Sequence, residues 1–253
     1  MTGTTATGPK PNGNGRKERL LIVVDGEASQ LYYTGILLQR LAYTIYTAKT
    51  AEEALEIMSI TVPSLILTEL SLPKMSGMEF LRQVKRQPGT KTVPVIVYTS
   101  QMDTTQRDAC QGEGCAAFLT KPIDPDTLYA AIQKVTEPTP RNFVRLAIRL
   151  KVIVGEETTR TPSPDESITA LSESGMYIST SHPRKVGTRL PMTILLNNAG
   201  IRVEGNVLYS FEPGAGPLRT PGMGIKFERI QPEDLDLIRT FIKEQLTQNI
   251  VRK

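Results

Sequence analysis

From Arg19 to Val135 short apolar runs alternate with amphipathic stretches. Leu20–Val24 is apolar on both faces, the pattern of a strand buried in a parallel sheet. Helical spacing follows, with Leu31, Ile36, Leu37 and Leu41 on one side. Thr50 and Glu53 have the spacing of a capping box for a second helix running through Ile57. Leu65–Leu67, Val95–Tyr98 and Ala116–Thr120 read as further strands. Asp103 and Gln106 repeat the capping signature, and Asp124 followed by Pro125 opens a last helix through Val135. Five βα units in this order predict an α/β fold, a doubly wound five-stranded parallel sheet of the flavodoxin-like type.

The texture changes at Thr136-Glu-Pro-Thr-Pro140, a short stiff linker. Beyond it strand-like runs follow one another: Leu146–Val154, Met176–Ser179, Arg189–Leu196, Ile201–Tyr209 and Gly224–Phe227. Gly and Pro clusters separate them, which predicts an all-β antiparallel barrel. A final helix from about Pro232 to Gln248 carries Leu235, Ile238, Phe241, Ile242 and Leu246 on one face. The expected division is a flexible tail over 1–18, one domain over 19–137 and a second over 138–253.

The 253 residues allow roughly two domains. No apolar run approaches the ~18 residues of a membrane span, and the first eighteen residues lack the apolar segment of a secretory signal, so a cytoplasmic location is expected. Two cysteines and one histidine narrow the chemistry. A zinc site wants about four Cys or His ligands, and a Ser-His or Cys-His pair needs a placed histidine. His182 lies in a turn-like Ser-His-Pro-Arg stretch, and Cys110 and Cys115 read as buried structural residues. With no nucleophile, base or metal set in place, no enzyme is expected. Lys17–Glu137 holds 12 basic and 14 acidic residues, whereas Pro138–Lys253 holds 16 and 12. The basic second half suits an anionic partner, and equally an ordinary solvated surface.

The first domain resembles response-regulator receiver domains over its full length. The resemblance rests on Val23-Val-Asp25, Leu72-Pro-Lys-Met-Ser-Gly77, Pro94-Val-Ile-Val-Tyr-Thr99 and Phe118-Leu-Thr-Lys121-Pro122. In that family three carboxylates at the ends of strands one and three hold Mg²⁺, and one of them is phosphorylated. Asp25 matches the first acid, Thr99 the hydroxyl and Lys121 the lysine. Gly26 stands where the second acid belongs, and Glu69 where the phosphoacceptor aspartate belongs. The added methylene of Glu69 carries its carboxylate about an ångström into the space a phosphoryl would fill. A degenerate phosphorylation site without Mg²⁺ is therefore expected, with Lys121 pairing to Glu69. The locked state could mimic the phosphorylated one or be a neutral relic. Either way the implied role is an interaction platform, with Thr99, Phe118 and the last strand and its helices facing a protein partner or a second copy in a homodimer.

The second half resembles PilZ domains, six-stranded barrels with a C-terminal helix that bind cyclic di-GMP. The residues are Arg141-Asn-Phe-Val-Arg145, Leu171-Ser172-Glu-Ser-Gly175 and Gly222-Met-Gly224-Ile-Lys-Phe227. The resemblance implies Arg141 and Arg145 as phosphate and guanine ligands, Ser172 as a hydroxyl for a phosphate and Gly175 as a point of close backbone approach. Alternatively the arginines belong to a basic linker, and Ser172 and Gly175 to a plain turn. Ala170 departs from the family, which has Asp or Asn there to accept from guanine. Losing a hydrogen bond to a charged acceptor costs about 1.5–3 kcal/mol, roughly ten- to a hundredfold in affinity.

The leading expectation is a non-enzymatic cyclic di-GMP effector regulating motility, exopolysaccharide or development through protein partners. The alternative is a degenerate scaffold that binds no nucleotide. A DNA-binding response regulator would need a helix-turn-helix where strands stand, so no nucleic-acid partner is expected.

Overall fold

The computed structural model describes residues 19–100, 104–155, 162–197, 199–215, 220–248 and 250. The expectations for the tail over 1–18 and for the Asp103 cap lie outside these residues. Two compact units divide the chain, one over residues 19–144 together with the described residues from Leu246 onward, and one over 145–245.

The first unit is a parallel sheet in the order β2-β1-β3-β4-β5. Its strands are β1 (Leu20–Val24), β2 (Thr44–Ala48), β3 (Leu65–Thr68), β4 (Val95–Thr99) and β5 (Ala117–Thr120). Between and after them run α1 (Ala28–Arg40), α2 (Ala51–Ile60), α3 (Gly77–Arg86), α4 (Thr104–Gly112) and α5 (Pro125–Thr136). Leu21–Val24, Leu65–Leu67 and Val95–Tyr98 are wholly buried, which is why these strands read as unbroken apolar runs. β2, an edge strand with only Ala48 buried, lacks that signal and carried no assignment in the sequence. The strand order reverses between β1 and β3, and ligands of such sheets sit at the carboxyl ends of the strands there. Asp25 and Glu69 follow those two ends.

The caps correct the sequence reading in one detail. Thr50 accepts from Glu53 N, but the Glu53 carboxylate accepts from Lys49 N, one residue ahead of the cap. The reciprocal capping box belongs instead to Ser76 and Glu79 at the start of α3, a helix the pattern did not reveal. Asp124 caps α5 by accepting from Thr127 N at 3.2 Å, with Pro125 in the first turn.

The second unit is a closed barrel in the order β10-β11-β8-β7-β6-β9. Its strands are β6 (Leu146–Val154), β7 (Ser167–Ser172), β8 (Gly175–Ser179), β9 (Arg189–Leu196), β10 (Ala199–Phe211) and β11 (Gly222–Ile230). All ladders are antiparallel. One register row, Leu171–Met176–Ile225–Val207, points inward and is buried on all four strands. Arg149 and Lys151 face outward on β6. β7 escaped the pattern because a register irregularity between Ile168 and Ala170 breaks its alternation. The final helix α6 (Pro232–Thr247) buries Ile238, Phe241, Ile242 and Leu246, with Leu235 half-buried.

Candidate functional site

In the first unit the five predicted positions gather at the carboxyl ends of β1, β3 and β4 and just past β5. Lys121 Nζ donates to Asp25 Oδ2 at 2.7 Å and to Glu69 Oε2 at 2.6 Å. Tyr98 Oη donates to the same Asp25 oxygen at 2.6 Å, and the Lys121 ammonium sits 4.4 Å from the Tyr98 ring centroid. The other carboxylate oxygens take main-chain donors: Asp25 Oδ1 from Glu27 N, Glu69 Oε1 from Leu70 N and Ser71 N. Asp25, Glu69 and Thr99 are buried. Burial, reinforced by the Asp25 charge, raises the Tyr98 phenol well above its usual range, so it stays protonated as the donor.

This arrangement does not fit a divalent cation. Mg²⁺ asks for several oxygens in an octahedron. Here two carboxylates already share one ammonium, and no group of three or more His, Cys, Asp or Glu among the described residues could hold a metal. At position 26 a Cβ would lie 3.0 Å from Pro73 Cδ, so an acid there would press on the proline ring.

In the barrel, Arg145, Ala170, Ser172 and Gly175 line one shallow cavity of about 170 Å³ on the outer faces of β7, β8, β10 and β11. Tyr177, Tyr209, Gly224 and Lys226 also line it. Two register rows contribute to it. Ala170, Tyr177, Gly224 and Tyr209 are successive partners across the four strands, and Ser172, Gly175, Lys226 and Asn206 form the next outward row.

Two predicted ligands have structural duties. The Ser172 hydroxyl is buried and donates to Gly175 O at 3.0 Å, closing the β7–β8 turn. Its one proton is engaged, so donating to a phosphate would require the hydroxyl to rotate away. A Cβ on Gly175 would lie 2.1 Å from Ile225 O, so this glycine lets β11 approach β8. Glu173, between them, is held by Arg239 of α6 at 2.7 Å. Arg141 falls in the first unit, where its main-chain N–H donates to Gln133 Oε1 at 3.4 Å, whereas Arg145 is exposed on the barrel.

Residues 21–133 match the response regulator receiver domain, and residues 139–244 match the PilZ domain. The chain is a receiver domain followed by a PilZ domain. Among curated relatives, the transcriptional regulatory protein GlrR of Escherichia coli is 31% identical over 46% of this chain and 26% of its own length. Protein PilH of Pseudomonas aeruginosa is 24% identical over 46% of this chain and 95% of its own. The chain thus spans about a quarter of the first of these relatives. The crystal structure of a response regulator of Chloroflexus aurantiacus is 26% identical, with a TM-score of 0.46 over 47% of this chain and 98% of its own. Chemotaxis response regulator CheY4 of Vibrio cholerae gives 26% and 0.45 over 47% and 98%.

Sequence reading missed Tyr98 in the receiver domain and Tyr177, Tyr209 and Lys226 in the PilZ domain. The signal for Tyr98 was a polar tip ending an otherwise apolar strand. His182 keeps an 83% exposed side chain, with Ser181 Oγ and Asp165 Oδ2 both on its Nδ1. A hydrolase relay needs its partners on opposite ring nitrogens, so this trio is a loop contact. Cys110 is fully buried and Cys115 partly, in line with structural roles.

Proposed function

We propose that the PilZ domain binds cyclic di-GMP at the outer-face cavity of β7, β8, β10 and β11, and that the receiver domain does not accept phosphate. The observation that carries the first part is convergence. Arg145, Ser172 and Gly175 come from two separate stretches of sequence and line one cavity. The guanidinium suits phosphate and a guanine edge, and Arg141, Arg145, Ser172 and Gly175 are the proposed ligand set. At Ala170 the acceptor is replaced by a methyl, which weakens guanine recognition without blocking the cavity.

The second part rests on the Asp25–Lys121–Glu69 cluster. Phosphoryl transfer needs an accessible carboxylate oxygen and a neutralising metal. Glu69 Oε2 is buried under Lys121, and no second acid stands at Gly26. The receiver domain then acts as a fixed surface for a protein partner or a second copy. Regulation of motility, exopolysaccharide or development through that partner follows as the proposed output.

The test is isothermal titration of cyclic di-GMP into the full chain, with Arg141→Ala/Arg145→Ala as control. Heat that vanishes in the double variant is the expected result. No heat at tens of micromolar refutes ligand binding and leaves a scaffold that acts only by protein contact. That second reading is favoured by one observation: Ser172 and Gly175 already serve the β7–β8 turn and the β8–β11 ladder. Acetyl phosphate should leave the receiver domain unmodified in mass spectra, and a stoichiometric adduct on Glu69 would refute its inertness.

A further inference from the structure

The cavity wall that the sequence did not reveal is aromatic and cationic. A Cβ on Gly224 would lie 2.3 Å from Tyr209 Cζ and 2.4 Å from its Cε1, so the ring lies directly over the glycine. A Cβ on Gly222 would lie 3.0 Å from Tyr177 Cε1. Gly224 thus seats the Tyr209 ring on the outer face of β11, while at Gly222 a Cβ would first meet Ile178 O at 2.2 Å, with the Tyr177 ring alongside. Those rings stack with centroids 6.2 Å apart and planes 25° from parallel, and Phe211 continues the row 5.6 Å beyond Tyr209. Tyr177 is fixed at its far end, where its hydroxyl donates to Thr220 O at 2.6 Å. On the other flank Ala170 contributes only a methyl beside Tyr177.

The charges around this floor have one sign. Lys226 lies in the adjacent outward row and is exposed, and Arg145 is exposed at the same cavity. Among the described residues no carboxylate lines the cavity, and the nearby Glu173 is engaged by Arg239. Half-buried rings beside two cations suit a ligand that joins a flat heteroaromatic ring to phosphate. Ring faces take bases whatever their edge pattern, and ammonium groups take phosphate as point charges.

We propose that Tyr209 is the base-stacking residue of this cavity and Lys226 a phosphate-binding cation, with Tyr177 positioning the Tyr209 ring. This rests on the reading that a cyclic dinucleotide enters the cavity. It also gives a physical reason why binding survives the loss of an acceptor at Ala170: the base is held by its face rather than by its edge. The stacking contact is expected to contribute about ten- to a hundredfold in affinity.

The experiment is titration of cyclic di-GMP into the full chain carrying Tyr209→Leu, Tyr209→Phe or Lys226→Met, beside Arg145→Ala. Tyr209→Leu should weaken binding at least tenfold, and Tyr209→Phe should stay within about threefold of the parent. Lys226→Met should weaken binding severalfold and flatten its dependence on salt. An independent measurement on the unmodified chain guards against misfolding of Tyr209→Leu: the guanine H8 proton should move upfield on binding under the Tyr209 ring current. Binding lost in Arg145→Ala but unchanged in both Tyr209→Leu and Lys226→Met, or no upfield shift of H8, overturns this assignment and leaves the proposed function standing. Absence of binding by the parent chain overturns both.

Discussion

Replacing Lys121 by Met tests whether the receiver domain is held by its own ion cluster. Methionine keeps most of the side chain's apolar length beside Tyr98 and removes only the ammonium. In the parent chain that ammonium bridges Asp25 and Glu69 at 2.7 and 2.6 Å, with all three side chains no more than 8% exposed. Its loss leaves two buried carboxylates facing each other without a counter-charge. Removing one partner of a buried pair costs about 3–5 kcal/mol, whereas exposed pairs contribute about 0–1 kcal/mol. The half-exposed Arg82–Glu113 pair therefore provides the control. For a domain of this size about 3–5 °C accompanies each kcal/mol, so the receiver transition should fall by about 10–20 °C in Lys121→Met and by about 5 °C or less in Arg82→Met. Calorimetry of the full chain separates the receiver transition from that of the barrel. Adding Glu69→Gln to Lys121→Met should recover part of the loss, because one buried charge then remains instead of two. Equal shifts for Lys121→Met and Arg82→Met, or no recovery in the double variant, would refute the reasoning.

Three further outcomes follow from other parts of the chain. Asp165 accepts from the Thr180 and Ser181 hydroxyls, and these bonds lower its carboxyl to about 2 from an ordinary 3.8. A carboxyl depressed in the folded state gives stability that is complete above the unfolded value and lost as pH falls through about 2. The gap in barrel unfolding midpoint between the parent and Asp165→Asn should thus be constant above pH ~4 and close toward pH ~2, and a gap that widens in acid would contradict it. Cys110, raised to about 11 by burial and by Cys115, should resist Ellman's reagent at pH 8 in the native chain and react fully in denaturant. Rapid native labelling of both thiols would show that α4 does not shield it. Gly175→Ala sets a Cβ 2.1 Å from Ile225 O, so the barrel should lose about 1–3 kcal/mol or more in urea titrations without ligand. An unchanged midpoint would mean that β8 and β11 are not as closely apposed as their register requires.

The receiver fold was legible because its central strands are buried on both faces. Leu20–Val24 and Val95–Tyr98 announce themselves without any knowledge of their neighbours. β2 and α3 were not, for opposite reasons. β2 is an edge strand with mixed polarity, and α3 opens on Gly77, whose missing side chain fits against the Glu69 carbonyl rather than signalling a helix. The degenerate positions Gly26 and Glu69 were visible as departures from a pattern. That Lys121 spans both carboxylates is a property of three strand ends meeting, and the sequence carried only half of it, the pairing with Glu69.

The barrel site divides differently. Arg145, Ser172 and Gly175 were found through the resemblance of their two short motifs to PilZ domains, but a motif cannot distinguish a ligand from a turn, and the structure gives Ser172 and Gly175 turn duties first. Tyr177 and Tyr209 stand 32 residues apart in the chain. They become neighbours only because both pair with Gly224, one through β8 and the other through β10. The bulge between Val207 and Tyr209 matters here, since it shifts the register that lets the Tyr209 ring settle over that glycine. Alternating glycines on a strand weaken it by entropy and by lost packing. Their presence in a closing strand was the one sequence signal that something large lies across that face. The small residues of the row, Ala170 and Gly224, and its large ones, Tyr177 and Tyr209, are therefore parts of one surface. A change at Ala170 would be read by the rings as well as by any ligand.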